Sequence, residues 1–267
     1  DNGGQISSST FSRGDAGSVK VSAGSIAIGN QATNLVTGIY SQATSDSTGG
    51  KAGTVDVTAK GALSIDHGGE IDSSTFSTGN AGNVTVNAAS IAIGNQGNGG
   101  AIRSQANDAS KGNAGNVDVT TNGLLSIDHG GEISSSTFSS GNAGKVTVTV
   151  GNIAIDNGGG IFSQASGSTG NAGNIVVTAT TGDISIDHGG AIVSDTQSSG
   201  NAGTIDVMVR GALSIDHGGR ISSSTFSSGN AGKVTVVNAG SIAIGNHGGG
   251  GSISSQANEG SKGHAGS

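Results

Sequence analysis

The sequence contains no cysteine and no proline, and each absence excludes a class of structure. Without cysteine, neither disulfides nor thiolate-bound metals can hold the fold. This means little in an intracellular protein, whereas in a secreted one it suits a chain that is exported unfolded. Without proline, the chain is neither collagen nor a proline-rich linker. No run approaches the roughly 18 consecutive apolar residues of a membrane-spanning helix, so a membrane span is not expected.

Aromatic and charged residues are also scarce. Five Phe, one Tyr and no Trp among 267 residues predict a thin core built from small β-branched side chains. Charged residues make up 11% of the chain, which is low for a disordered protein. The net charge of −7 is spread without any basic run, so binding to nucleic acid is not expected.

Glycine, by contrast, accounts for 52 residues and marks a repeat. A Gly-Xaa-Ala-Gly step occurs nine times, and an alternating apolar segment such as residues 83–86 follows it. The first isoleucine after each glycine-rich turn recurs every 28 to 33 residues, at Ile6, Ile39, Ile71, Ile102, Ile133, Ile161, Ile192, Ile221 and Ile253. A period of about 30 residues is typical of a solenoid.

Each period contains three short alternating segments, which in the third repeat are residues 71–75, 83–87 and 90–93. A propeller blade would need four strands in about 40–45 residues. The sequence therefore predicts an all-β parallel β-helix of eight to nine coils, roughly 40 Å long at the spacing of paired strands. It forms a single repeat region over residues 1–267, and we expect it to be an excerpt of a longer protein because the repeat is already under way at Asp1.

The coils also alternate between two sequence types. Repeats with Ser-Ser-Thr-Phe, such as residues 73–76, alternate with repeats with Ser-Gln-Ala, such as residues 104–106. The alternation slips once, at the atypical coil of Ile192. The recurring phenylalanines predict rings that cover one end of the core, the alternative being an adhesive stripe, at Phe11, Phe76, Phe138 and Phe226.

The asparagines of the Gly-Asn-Ala-Gly steps are interpreted as structural. Asn and Gly tolerate positive φ, and stacked amides can hydrogen-bond from coil to coil at a corner. This predicts a turn ladder of Asn80, Asn113, Asn142, Asn171, Asn201 and Asn230.

The Asp-His-Gly-Gly corners carry residue types that bind metals or transfer protons. The register places four carboxylates in successive coils, at Asp128, Asp156, Asp187 and Asp216. At a spacing of about 4.8 Å they would repel one another unless water solvates them or a cation such as Ca²⁺ bridges them. The alternative is that Asp and Gly supply turn chemistry at an exposed corner.

The third strand of each coil points only small residues outward, which predicts a flat face suited to lateral association of rods. These residues are Ala27, Ser64, Ala92, Ser126, Ala154, Ser185, Ser214 and Ala243. For catalysis the sequence offers little: the four arginines are scattered, and no paired carboxylates stand out from the repeat. We therefore expect no catalytic residues and no cofactor other than Ca²⁺.

The succession Gly-Gly-x-Ile-x-Ser-x-Thr, Gly-Asn-Ala-Gly-x-Val-x-Val and Ser-Ile-x-Ile resembles the repeats of filamentous-haemagglutinin-type exoproteins, over essentially the whole chain. These are secreted by the two-partner route in Gram-negative bacteria and cyanobacteria. The resemblance implies a right-handed parallel β-helix, export across the outer membrane, and a role in adhesion, biofilm or surface-fibre formation.

Three functions follow as hypotheses. The first is a non-catalytic structural or adhesive rod at the cell surface or in the matrix, which associates with copies of itself while other regions contact host, cell-surface or matrix glycans and proteins. The second is a carbohydrate-binding or carbohydrate-cleaving β-helix, which needs a coil with clustered acidic and basic residues. The third, an ice-binding surface, needs a regular threonine array, whereas the outward residues of the first strand are mixed.

Overall fold

The computed structural model describes residues 3–29, 37–44, 49–97, 99–108, 110–167, 169–246 and 248–266. These residues form 25 short β-strands in three parallel sheets, and no helix occurs among them. Each coil of roughly 30 residues contributes one strand to each sheet, so the chain is a β-solenoid with three strands per coil, as predicted.

The first sheet contains nine strands, which are β1 (Gln5–Ser7), β4 (Gly38–Tyr40), β7 (Glu70–Asp72), β10 (Ala101–Arg103), β13 (Glu132–Ser134), β16 (Gly160–Phe162), β19 (Ala191–Val193), β22 (Gly219–Ser222) and β25 (Gly251–Ser254). The second contains eight, which are β2 (Val19–Ala23), β5 (Val55–Ala59), β8 (Val84–Ala88), β11 (Val117–Thr121), β14 (Val146–Val150), β17 (Ile175–Ala179), β20 (Ile205–Val209) and β23 (Val234–Val237). The third also contains eight, which are β3 (Ile26–Ile28), β6 (Ala62–Ile65), β9 (Ser90–Ile93), β12 (Leu124–Ile127), β15 (Asn152–Ile155), β18 (Ile184–Ile186), β21 (Ala212–Ile215) and β24 (Ser241–Ile244).

Every strand pairs in parallel with its equivalent in the next coil, and the register never slips within a sheet. The nine isoleucines that recur every 28 to 33 residues form one continuous ladder, in which Ile102 lies between Ile71 and Ile133. The ladder holds even at Ile192, where the sequence alternation slips. Loops between strands therefore absorb the variation in period from 28 to 33 residues.

The core consists of stacked Ile, Val and Leu side chains from the inward positions of all three sheets. Such residues suit a pleated surface on which each side chain packs against a similar neighbour above and below. In the middle of the stack they are fully buried, as Ile71 and Val86 are. At the two ends of the described stack the ladders lack an outer neighbour, and Ile6 and Ile242 are half exposed.

Glycine is required in the Gly-Xaa-Ala-Gly steps because successive coils approach closely there. A Cβ atom on Gly112 would come closer than 3.0 Å to the carbonyl oxygen of Gly79, and one on Gly141 would meet Gly112 in the same way. Their φ values lie outside the left-handed region. Stacking, and not turn conformation, therefore explains these glycines.

Serine is the inward residue that follows the first strand, and its hydroxyl is satisfied by backbone, as expected for a buried polar group. The Oγ atom of Ser135 donates to the carbonyl of Gly115 in the preceding coil at 2.5 Å. It also accepts from the N–H of Gly144 in its own coil at 3.0 Å. Ser104 and Ser163 make the same pair of bonds. This serine ladder therefore ties the first strand to the glycine step.

We expect Ser135→Ala to lower the free energy of unfolding by about 1–3 kcal/mol, because it removes the hydroxyl that donates to the buried carbonyl of Gly115, while the N–H of Gly144 keeps its bond to the backbone carbonyl of Ser135. Urea denaturation followed by circular dichroism measures the change. Ser140→Ala is the matched control, since Ser140 is exposed. Equal stability of the two variants would contradict the structural role of this ladder.

Candidate functional site

The six asparagines of the glycine steps lie in one exposed ladder. The side-chain oxygen of Asn113 accepts a hydrogen bond from the backbone N–H of Asn142 at 2.8 Å. The side-chain oxygen of Asn142 likewise accepts one from the backbone N–H of Asn171 at 2.9 Å. Asn80, Asn201 and Asn230 continue the pattern. In most of these bonds a backbone N–H donates to the amide oxygen of the neighbouring coil. The expectation of positive φ does not hold for these residues, so asparagine serves here as an acceptor with the right reach.

Positive φ occurs instead at the Asp-His-Gly-Gly corners. The φ angles of His129 and Gly130 are 44° and 73°, and the N–H of Gly131 donates to the carbonyl of Asp128 at 2.8 Å. Two positive φ values inside an i to i+3 hydrogen bond are the requirement of a type I′ turn. The Asp128 carboxylate accepts the N–H of His129 at 2.7 Å and braces the turn.

The four aspartates predicted as a cation ladder do occupy equivalent places in successive coils, directly after the third strand. Three of their carboxylates accept a bond from a side chain in the next coil: Asn157 Nδ2 lies 2.9 Å from Asp128, His188 Nδ1 lies 3.0 Å from Asp156, and His217 Nδ1 lies 2.8 Å from Asp187. Asp216 is buried and accepts the N–H of His217 at 2.9 Å. Protein donors therefore offset the repulsion that motivated a calcium ion, and binding of Ca²⁺ here stays a prediction.

The histidine donors change the acidity of Asp187. Partial burial acts to raise the pKa of this carboxyl, but the backbone N–H of His188 and the ring of His217 outweigh it and hold the pKa below its usual range. The aspartate is therefore a carboxylate at neutral pH, placed between two imidazoles.

A second cluster breaks the repeat on the outward face of the first sheet, where sequence reasoning found only scattered charges. The guanidinium of Arg103 lies between two glutamates, with Nη2 2.6 Å from Glu70 Oε1 and Nε 3.4 Å from Glu132 Oε1. The longer contact is an ion pair without hydrogen-bond geometry. Burial lowers the pKa of Arg103, but Glu132 and Glu70 outweigh it and raise the pKa overall. Burial raises the pKa of Glu132.

Beside this triad lies Asp72, which is only 3% exposed. Its carboxylate accepts the N–H of Ser74 at 2.7 Å and the side-chain amide of Gln42 at 2.7 Å. Burial nevertheless dominates and raises the pKa of Asp72 to about 6. Burial, together with the charges of Glu70 and Asp72, raises the pKa of the neighbouring Tyr40.

An open cleft of about 420 Å³ adjoins Arg103, and its lining includes Phe76, Phe138, Gln105 and Glu132. The two rings belong to coils two apart, and the smaller Asn107 of the intervening coil also lines the cleft. Phe76 and Phe138 are 39% and 41% exposed. The prediction that the phenylalanines cover the end of the core is therefore wrong: they stand on the surface.

The spacing of the residues of the Arg103 cluster along the sequence already indicated that they lie in neighbouring coils. Glu70 lies 33 residues before Arg103, and Glu132 lies 29 residues after it, so all three fall in neighbouring coils. Arg103 occupies the ladder position that Tyr40, Phe162 and Ser254 hold in the other Ser-Gln-Ala coils. Comparing each ladder position across the coils would have revealed the substitution.

One row of outward positions on the third sheet holds small residues in register, such as Ala92 beside Ser126. Most of them are half-buried although they face solvent, because they scarcely project from the sheet. The other outward row includes larger side chains, among them Leu124, which is 46% exposed, so the face is low in relief only along the row of small residues.

Among the described residues there is no helical segment with the length and hydrophobicity that crossing a bilayer requires. No protein-family model, no curated protein and no solved structure matches the chain. The coils themselves define a class, that of the parallel β-solenoids with three strands per coil. The paired coils and the Arg103 cluster are the features of this chain that depart from a uniform repeat.

Proposed function

We propose that this chain is part of a non-catalytic rod in a secreted cell-surface or matrix fibre. The observation that carries the proposal is the unbroken register of nine first-sheet strands, in which nearly every hydrogen bond between coils repeats the one before. In such a structure each coil contacts only its neighbours, so repeats add length without changing the cross-section. Stiffness and length are the properties that a fibre requires.

The repeat's resemblance to filamentous-haemagglutinin-type exoproteins supports an extracellular location and export across a Gram-negative outer membrane. The absence of cysteine is consistent with passage through a secretion pore in the unfolded state. Adhesion and biofilm formation are the roles that this resemblance suggests.

Association between rods has one support. The row of small outward residues along the third sheet, such as Ala92 and Ser126, permits close side-by-side packing.

Electron microscopy of the purified secreted protein tests the proposal. We expect thin filaments whose width matches one solenoid and whose length exceeds the roughly 40 Å of nine coils. Compact particles that cleave polysaccharides would contradict it.

A second candidate function, carbohydrate binding, is favoured by the cleft between Phe76 and Phe138. Exposed aromatic rings offer apolar surface to the carbon–hydrogen face of a sugar ring. Arg103, Gln105 and Glu132 add hydrogen-bonding groups that suit hydroxyls. Carboxylates outnumber the single guanidinium, so a neutral glycan is favoured over an acidic one.

We expect Phe76→Ala and Phe138→Ala each to weaken binding of a neutral oligosaccharide by about tenfold, because each removes one wall of the cleft. Calorimetry with oligosaccharides first selected on a glycan array measures the affinity. Phe226→Ala is the control: Phe226 is 52% exposed in the equivalent position but lies outside the cleft. Equal losses in all three variants, or no binding by the unmodified protein, would reject this second function.

A further inference from the structure

The slip in coil alternation brings two Asp-His-Gly-Gly corners into adjacent coils. Asp187 and His188 form one corner, and Asp216 and His217 form the next. At the other corners the neighbouring coil presents a different residue; Asn157, for example, follows His129. Among the described residues, only at the slip do two of these histidines face each other across one coil spacing.

The turn geometry sets both histidines in the same direction. His188 and His217 occupy the same left-handed turn position, with φ angles of 39° and 41°. Their rings are consequently parallel to within 2°, with centroids 4.7 Å apart. The Oδ1 atom of Asp187 lies 2.8 Å from Nδ1 of His217 and 3.5 Å from Nδ1 of His188.

We propose that Asp187, His188 and His217 bind a divalent transition-metal ion, with Zn²⁺ as the representative, and that the ion links two successive coils. The three ligand atoms lie within 4.8 Å of one another. Ligands around tetrahedral zinc, each about 2.0–2.1 Å from the ion, are separated by about 3.3 Å. The two distances from Asp187 bracket this value. Because the parallel rings direct their Nδ1 lone pairs side by side, both imidazoles must turn towards the ion to complete the site.

The donor set selects the kind of metal. Two imidazoles and one carboxylate suit Zn²⁺, Ni²⁺ or Cu²⁺, whereas Ca²⁺ prefers six to eight oxygen ligands. The exposed fractions of the His188 and Asp187 side chains are 54% and 32%, so an ion reaches them from solvent and a water can complete its coordination. Asp156, 3.0 Å from Nδ1 of His188, supplies a further carboxylate beside the site.

Isothermal titration calorimetry of the tag-free protein with Zn²⁺ and, separately, Ca²⁺ tests the proposal. We expect one strong zinc site, a higher melting temperature with zinc, and affinity lowered by at least about tenfold in His188→Asn and His217→Asn. These variants should fold, because Asn157 already occupies the equivalent turn position with a φ of 45°. His129→Asn is the control and should bind zinc unchanged.

Electron paramagnetic resonance with Cu²⁺ adds a readout that folding defects do not mimic. Coupling to two imidazole nitrogens is expected in the unmodified protein and to one in His217→Asn. Zinc affinity unchanged in both histidine variants, a copper spectrum with oxygen ligands alone, or calcium binding without zinc binding would each overturn the proposal.

Discussion

Gly112→Ala is expected to destabilise the solenoid by more than about 3 kcal/mol, beyond the usual cost of overpacking a core. The added Cβ would collide with the carbonyl of Gly79, a backbone atom that no change of rotamer can move. The coils would have to separate at this corner, which breaks bonds such as that from Ala81 N–H to Asn113 O, 2.9 Å long. Urea denaturation followed by circular dichroism measures the loss.

Gly24→Ala is the control for this prediction. A Cβ atom on Gly24 would meet nothing within 4 Å, and its φ lies outside the left-handed region. We expect this variant to be as stable as the unmodified chain or slightly more so, since alanine restricts the unfolded state. Similar stability of Gly112→Ala and Gly24→Ala would show that the coils can separate at this corner at little cost.

Acidification from pH 7.5 to 4.5 is expected to stabilise the fold by about 2 kcal/mol through Asp72 alone, at 1.36 kcal/mol per pKa unit. Burial raises the pKa of this carboxyl from 3.8 to about 6. Between these values the folded chain retains a proton that the unfolded chain loses, so stability falls as pH rises through this window. Above about pH 6 the full cost of the buried charge is present, and below about pH 4 it has disappeared.

Asp72→Asn isolates this contribution. The amide oxygen still accepts the N–H of Ser74. Gln42, whose Nε2 donates to the carboxylate, keeps a bond when its own amide turns so that its oxygen accepts from the new NH₂ group. We expect the variant to be more stable than the unmodified chain at pH 7.5 and to lose most of the acid stabilisation. Burial also raises the pKa of Glu132 and Asp195, so a smaller effect of the same sign remains. Equal pH dependence in the two chains, measured by urea denaturation at both pH values, would contradict the prediction.

The architecture could be predicted from the sequence because every coil repeats the same pattern, so that an error in assigning one residue has little effect on the assignment of the whole. One misjudged residue does not alter a ladder such as that of Ile71, Ile102 and Ile133, since each coil gives the same evidence again. Two strand positions in the third repeat were right to within a residue, as with the predicted segment 90–93 and the observed Ser90–Ile93. The predicted segment 71–75 ran three residues beyond the observed end of β7 at Asp72.

The Arg103 cluster was missed for the opposite reason. It consists of departures from the repeat, and a departure acquires meaning only when its neighbours in the stack are known. Glu70 and Glu132 each directly precede one of the recurring first-strand isoleucines and look like ordinary variation along the chain. Burial, which raises the pKa of Asp72, depends on three coils together and has no local signature.

Positive φ was expected at the glycine steps, and turn chemistry was the alternative at the Asp-His-Gly-Gly corners; only the second is found. Asn and Gly tolerate positive φ, yet close contact between coils explains Gly112, and His129 takes the left-handed conformation. Residue propensities describe an isolated turn, whereas in a stack the contacts with the adjacent coil also determine which residues and backbone angles fit.

The direction of the hydrogen bonds in the three sheets has a mechanical consequence. All of them point along the axis of the stack, so tension on the two ends loads one coil boundary at a time and does not shear whole strands. A coil that detaches converts about 4.8 Å of rod into roughly 100 Å of extended chain for 30 residues. A fibre built from this solenoid would therefore lengthen stepwise under flow and dissipate work at each step. When the load is released, every detached coil has an intact neighbour as its template.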